Sequence, residues 1–295
     1  MSEVAAANEE STEAWSGPLF ERFVRFRPYI AEGLGRHSEV AMAAHPPRAG
    51  DRVLDIGCGF GDTTRQLAGL VGAGGEAVGV DVSEPFVDLA REEAAEAGLA
   101  NVSYRVGDAQ IADLGGPFDY VFSRMGVMFF ANPVQALRNV RGAMRPGGRA
   151  CFVVWRRKLD NGWVHEAEQV VERYLEHPEK TEEPTCGPGP FSMADADVVS
   201  EQLAIAGFES IELRRSDLPM PMGADLDGAV DLVMAIGPAG EVLRLWGDRA
   251  EEIRPRIAAE IRAVLEQFET DGGILAPSST WIISALAPTP APRSS

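Results

Sequence analysis

Val53-Leu54-Asp55-Ile56-Gly57-Cys58-Gly59-Phe60-Gly61 decides the reading of this chain. Val53 to Ile56 has the composition of a buried strand with one carboxylate set among apolar residues, and glycines then occupy every second position from 57 to 61. Asp62-Thr63-Thr64 opens a helix with Leu67, Leu70 and Val71 on one side. A strand, a glycine turn and a helix N-terminus form a cradle for a polar ligand, because residues without a Cβ let backbone N–H groups approach closely. Further on, Val78-Gly79-Val80-Asp81 reads as a second buried strand ending in an acid. An acid at that place can accept both hydroxyls of a ribose.

The spacing of the glycines matters more than their presence. The dinucleotide fingerprint G-x-G-x-x-G would need its third glycine at Asp62 or at Thr64, so it is absent. The pattern present is D-x-G-x-G-x-G.

Composition narrows the partners. The chain has 295 residues, is 45% hydrophobic and carries a formal charge of −18, from 27 basic and 45 acidic residues. Such a field repels nucleic acid and anionic membrane surfaces unless a basic patch overrides it. Arg22, Arg25 and Arg27 are the nearest approach to one, and read as a solvated helix face. Cys58, Cys151 and Cys186 lie far apart with no C-x-x-C, which argues against a disulfide framework or a zinc site. The acidic start lacks the apolar stretch of a signal peptide, and no run approaches the length of a membrane span. The expectation is a cytoplasmic protein with neither nucleic acid nor membrane as partner.

Strands and helices alternate from residue 51. Strands are expected at 52–56, 76–81, 101–106, 118–123 and 149–155. Between them lie a helix over 62–71, one capped by Ser83 and closed by Gly98, and one started by Asn132 and Pro133. Such alternation means a parallel sheet with helices on both faces. A helix over 194–206, a strand over 208–214 and a closing strand over 280–286 continue the pattern. Two stretches break it: 156–190, with a helix over 163–175 and a Pro/Gly segment over 184–190, and 217–270, helical over 225–235 and 240–268. The division expected is a disordered arm over 1–14, a helical cap over 15–50, a core over 51–155, the rest of the core with its insertions over 156–286, and a disordered tail over 287–295. The cap carries Phe20, Phe23, Val24 and Ile30 at amphipathic spacing, and either packs on the core or roofs a ligand cleft.

Ligands of open α/β sheets bind at the carboxyl ends of the strands. Asp55 to Gly61, Asp81, Asp108 and Ser123 come from four different strands to that one edge. With the Gly107-Asp108-Ala109 turn, the motif resembles motif I of the class I S-adenosylmethionine-dependent methyltransferases. The resemblance is strong over residues 50 to 155. Phe118 to Arg124 and Arg145-Pro146-Gly147-Gly148 are similar to the UbiE/COQ5-like branch, which acts on small molecules. The resemblance implies a Rossmann-like α/β fold with a mostly parallel seven-stranded sheet, an N-terminal helical cap and substrate-side insertions. It also implies S-adenosyl-L-methionine as cofactor. Gly57, Cys58 and Gly59 with Gly61 would line the methionine portion, Asp81 would take the ribose, Asp108 the adenine amino group, Val82 and Ala109 the ring, and the Ser123 backbone the methionine end. Asp55 is expected to be structural within that site, bonding loop N–H groups rather than the ligand, and Cys58 to be inert packing.

The acceptor is less legible. His165 is the candidate general base in the first insertion, which also holds His177, but a surface histidine is the commoner reading, so the catalytic residue stays unassigned. Met125, Met128, Phe129, Phe130, Trp155, Trp163, Met220 and Met222 could wall a pocket for an apolar small molecule or simply be core. His165, Met128 and Trp163 are the candidate substrate contacts. The leading expectation is methyl transfer to a small metabolite at O, N or C. A cofactor-binding regulatory or scaffold protein is the alternative. A nicotinamide-dependent oxidoreductase is opposed by the missing glycine and the absence of a Tyr-x-x-x-Lys pair.

Overall fold

The computed structural model describes residues 8–176 and 184–289. The alternating core is as expected. Strand β1 (Arg52–Ile56) leads through the glycine turn into helix α4 (Asp62–Val71), then β2 (Glu76–Asp81), α5 (Glu84–Glu96), β3 (Val102–Val106), β4 (Phe118–Arg124), α6 (Pro133–Gly142) and β5 (Met144–Trp155). After α7 (Gly162–Glu172) and α8 (Ala196–Ala206) come β6 (Glu209–Gly223), the helices α9 (Leu226–Val233), α10 (Gly237–Trp246) and α11 (Arg254–Leu265), the two-residue β7 (Glu269–Thr270) and β8 (Gly273–Leu286). The sheet runs β3-β2-β1-β4-β5-β8-β6, with β7 paired beside β8. β1 to β5 are mutually parallel and β8 is antiparallel to both its neighbours. Seven strands form the path, as the resemblance implied, and β7 is an addition.

Chain order reverses at β1, where β2 lies on one side and β4 on the other. That is the crevice where loops splay apart and a ligand can enter.

Several boundaries differ from the sequence expectation. The arm expected over 1–14 is helix α1 (Glu9–Ser16) from residue 9 onward, with Ser11 and Ala14 buried. Its acidic composition hides a narrow face of small residues that packs down. Residues 1–7 lie outside the described residues. Helices α2 (Pro18–Arg25) and α3 (Arg27–Ala44) complete the N-terminal part.

The three arginines there are not simply a solvated face. Arg22 donates to the Ala235 and Gly240 carbonyls at 3.2 Å each, and Arg27 pairs with Glu93 and Asp62. Only Arg25, bridged to Asp231, is largely exposed.

The tail expected over 287–295 is not disordered at its start. Ala287 is buried and its backbone pairs with Gly147 and Gly148, while 290–295 lie outside the described residues.

β5 starts at Met144, not 149. The Arg145 to Gly148 turn is a register shift in the β4–β5 ladder between Phe118 and Tyr120.

β6 extends to Gly223 and β8 starts at Gly273, so the second insertion spans less than 217–270. β6 runs through Pro219 and Pro221 because it is an edge strand, where a missing N–H leaves no ladder bond unmade. That insertion holds three helices, because Gly247, at φ +51°, ends α10 and splits the helix expected over 240–268 into α10 and α11. Among the described residues no helix is long and apolar enough to cross a membrane.

Candidate cofactor site

The glycine turn is held by hydrogen bonds from both sides. Gly57 and Cys58 donate N–H to the Val80 carbonyl, and Gly59 donates to Asp81 Oδ2 at 2.9 Å. Gly57 has φ +65°, and a Cβ there would lie 2.7 Å from the Gly126 Cα, so backbone from the β1 and β4 ends meets with no room for a side chain. Asp81 also accepts from the Ser83 N–H at 3.0 Å, leaving the remaining lone pairs of its carboxylate for a ligand. Burial raises the Asp81 pKa, and the Ser83 and Gly59 N–H groups oppose the rise. Ser83 sits at the N-cap of α5 as expected, but its hydroxyl does not cap the helix. It donates to the Trp15 carbonyl at 3.1 Å.

Asp55 is fully buried on β1. Its Oδ2 accepts from Thr63 Oγ1 at 2.6 Å and Thr64 Oγ1 at 2.7 Å. The expectation that it would bond loop N–H groups is thus replaced by two hydroxyls of α4. Its other oxygen, Oδ1, is buried with no partner among the described residues. Burial pushes its pKa up to about 6, against the pull of the two threonines.

Register explains what stands near it. Asp55 pairs with Phe122, and Arg124, two residues on, pairs with Val153. In a parallel ladder these residues share a face, here the face carrying α3 and α4. Arg124 is half-buried and makes no hydrogen bond or ion pair among the described residues. Burial lowers its pKa, while Asp62 and Asp55 raise it. The next residue, Met125, has φ +60°, a rare conformation for a side chain of that size. Nothing in the local sequence marked Arg124, because only the β1–β4 pairing brings it to the glycine turn.

Other expected residues fall into supporting roles. Ser123 is fully buried, and its hydroxyl donates to the Ile56 carbonyl at 2.7 Å, locking β4 to β1. Asp108 is buried in its own turn, where Gln110 donates both its N–H, at 2.9 Å, and its side-chain amide. Ala109 is buried and Val82 is half-buried. Cys58 is buried, which raises its pKa well above the usual thiol range, as expected of inert packing.

On the acceptor side, Met128 lies in the turn after β4, and its sulfur accepts the Trp155 N–H at 3.4 Å. Trp163, on α7, is buried, and its indole N–H has no partner among the described residues. Both belong to the continuous apolar core, as do Met125, Phe130, Trp155, Met220 and Met222. His165 is half-buried on α7, and His177 lies outside the described residues. The buried histidine is His37 on α3. Its ring nitrogens meet Ser278 Oγ at 2.7 Å and Thr280 Oγ1 at 3.0 Å, and burial pulls its pKa down to about 4.

A methyltransferase-domain family model matches residues 47–186. A nocamycin O-methyltransferase from Saccharothrix syringae is 45% identical over 105 residues, 35% of this chain and 37% of that protein. A ubiquinone/menaquinone biosynthesis C-methyltransferase from Pseudomonas paraeruginosa is 36% identical over 104 residues, 35% of this chain and 41% of that protein. The matches therefore span less than half the length of either relative. Among solved structures, a phosphoethanolamine N-methyltransferase 2 from Haemonchus contortus, in complex with S-adenosylhomocysteine, superposes with a TM-score of 0.58 at 18% identity, over 97% of this chain and 61% of that one. That likeness concerns the fold alone. Sheet order, the D-x-G-x-G-x-G turn bonded to the acid of β2, and the family match agree: residues 47–186 are a methyltransferase domain of the class I, S-adenosylmethionine-dependent family.

Proposed function

We propose that the chain binds S-adenosyl-L-methionine along the carboxyl edge of β1, β2 and β4 and transfers its methyl group to a small molecule. In this reading Asp81 takes the ribose hydroxyls, and Val82, Asp108 and Ala109 flank the adenine. Gly57, Cys58, Gly59 and Gly61 present backbone to the methionine portion, with the Ser123 backbone beside it. The observation that carries the proposal is the pair Asp55 and Arg124. Among the described residues, a buried carboxylate oxygen without a hydrogen-bond partner and a guanidinium without an ion pair share the face beside the turn. Each is costly to leave unmatched. A zwitterionic amino-acid end satisfies both, its ammonium on Asp55 Oδ1 and its carboxylate on Arg124.

The bound cofactor supplies an activated sulfonium methyl. The protein then aligns the acceptor in line, at about 3–3.5 Å. Two named relatives act at different atoms, one at O and one at C. Met128, Trp163 and His165, after β4 and β5, flank the acceptor side in this proposal, and their apolar surroundings suit a hydrophobic body.

Calorimetric titration tests it. S-adenosylhomocysteine should bind, 5′-methylthioadenosine, which lacks the amino-acid end, should bind at least tenfold more weakly, and NAD(H) should not bind. Labelled cofactor incubated with phenolic, quinol and carboxylic acceptors should then pass label to at least one. Tight NAD(H) binding with no response to S-adenosylhomocysteine overturns the reading.

A further inference from the structure

The turn after β3 holds a residue that its motif does not include. Gln110 is 3% exposed, buried like Asp108, and its side chain reaches in two directions. Its carbonyl oxygen accepts the Asn132 N–H at 2.8 Å. Its amide nitrogen donates to both oxygens of Asp108, at 3.3 Å each. A side-chain amide has one accepting and one donating end. A backbone N–H can only donate, so the Asn132 contact fixes which end meets Asp108.

The frame around this amide is itself held. Asn132 is the N-cap of α6, and its side chain accepts the Gln135 N–H at 3.1 Å. The 108–112 turn is closed without help from the Gln110 side chain. Ile111 and Ala112 donate N–H to the Asp108 carbonyl, and Asn139 of α6 donates to the Ala109 and Ala112 carbonyls at 2.9 and 2.8 Å. The Gln110 side chain thus bears on the Asp108 carboxylate and not on the path of the backbone.

We propose that Gln110 is a positioning residue that sets nucleobase specificity: by donating to both oxygens of Asp108 it presents that carboxylate as an acceptor, which takes a 6-amino purine and rejects a 6-oxo one. The inference rests on the cofactor assignment above. A carboxylate accepts the N–H of an amino group, whereas a 6-oxo oxygen would meet it lone pair against lone pair. A buried site made for a donor rejects the analogue that lacks it, because its own polar groups are then left unpaired. The residue type matters at this place. A carboxyl there would share a proton with Asp108 and turn the pair into a donor.

Calorimetry with S-adenosylhomocysteine and S-inosylhomocysteine, its 6-oxo counterpart, tests this. The unaltered protein should favour the adenosyl ligand at least about tenfold, the worth of one charged hydrogen bond. Gln110→Leu removes the donor, and Gln110→Glu keeps the acceptor for Asn132 while setting a second carboxyl against Asp108. The preference should fall at least about tenfold in both variants. In Gln110→Glu the inosyl ligand should also bind more tightly than to the unaltered protein. Gln110→Glu, close in shape to the native residue, guards against a Gln110→Leu that fails to fold. Asn139→Ala, which loosens the backbone of the turn, should weaken both ligands alike and keep the preference. A native preference in Gln110→Glu, equal losses for the two ligands in the Gln110 variants, or an equal fall of the preference in Asn139→Ala overturns the proposal and leaves the cofactor assignment intact. Equal binding of the two ligands by the unaltered protein overturns it together with the role of Asp108. Failure of the unaltered protein to bind S-adenosylhomocysteine overturns both the proposal and the cofactor assignment.

Discussion

The Gly59 N–H donates to Asp81 Oδ2 at 2.9 Å, so the glycine turn after β1 and the acid ending β2 are one structural unit. The carboxylate holds the turn in shape, and in the proposed function it also takes the ribose. Asp81→Ala should weaken S-adenosylhomocysteine binding by about 1.5–3 kcal/mol, the scale of charge-assisted hydrogen bonds. Titration calorimetry on the folded variant checks this. Asp81→Asn keeps an acceptor for Gly59 and loses only the charge, so a near-native Asp81→Asn beside a weak Asp81→Ala would mean that the turn, not the ribose contact, is what suffers.

Gly57→Ala tests the meeting of two backbones. The new methyl would sit 2.7 Å from the Gly126 Cα at φ +65°, and neither partner is a flexible side chain. Overpacking and backbone strain should together cost about 2–4 kcal/mol. A lower denaturant midpoint with an unchanged m-value is the expected signature.

Asp55 sets a pH dependence. Its pKa is about 6 in the folded chain, against an ordinary 3.8, because burial penalises the charge. A carboxyl with a raised folded pKa contributes stability that is full below pH 3.8 and lost as pH rises to 6. The difference corresponds to up to about 3 kcal/mol at neutral pH. Asp55→Asn keeps an oxygen for Thr63 and Thr64 and removes the charge. It should therefore be more stable than the native chain at pH 7.5, with the advantage vanishing near pH 4, while its affinity for S-adenosylhomocysteine falls at least tenfold. Urea titrations at both pH values measure the first effect and calorimetry the second. A destabilised Asp55→Asn at pH 7.5 would contradict the burial argument.

Arg124→Met removes a guanidinium without removing a hydrogen bond of the described residues. Stability should be unchanged or higher. Affinity for S-adenosylhomocysteine should drop about 10- to 150-fold, the range for a charged hydrogen bond, while that for 5′-methylthioadenosine stays the same. An equal loss for both ligands would place Arg124 away from the amino-acid end.

The arrangement around His37 shows where a local reading stops. Of four histidines the sequence put His165 first, because it lies in an insertion, and His37 behind it. The structure instead buries His37 between two hydroxyls of β8, more than two hundred residues away in the chain. Its pKa near 4 keeps it neutral, so it serves as packing with satisfied nitrogens. Likewise β6 and β8 ran past their expected ends because each is supported by the other along its length, and a window of sequence contains only one partner.

What the sequence alone determined is what short-range chemistry dictates: the buried strand ending at Ile56, the glycine turn, the helix at Asp62, and an acid at the end of the next strand. Those features depend on residues within a few positions of one another, so spacing reveals them, and with them the fold class. Tertiary structure decided the rest. Parallel pairing of β1 with β4 sets Arg124 beside Asp55, and the docking of α1 sets Trp15 between Phe86 and Phe129. Strand register and helix docking are settled by the burial of whole faces against one another, a property of the packed chain that no local pattern encodes.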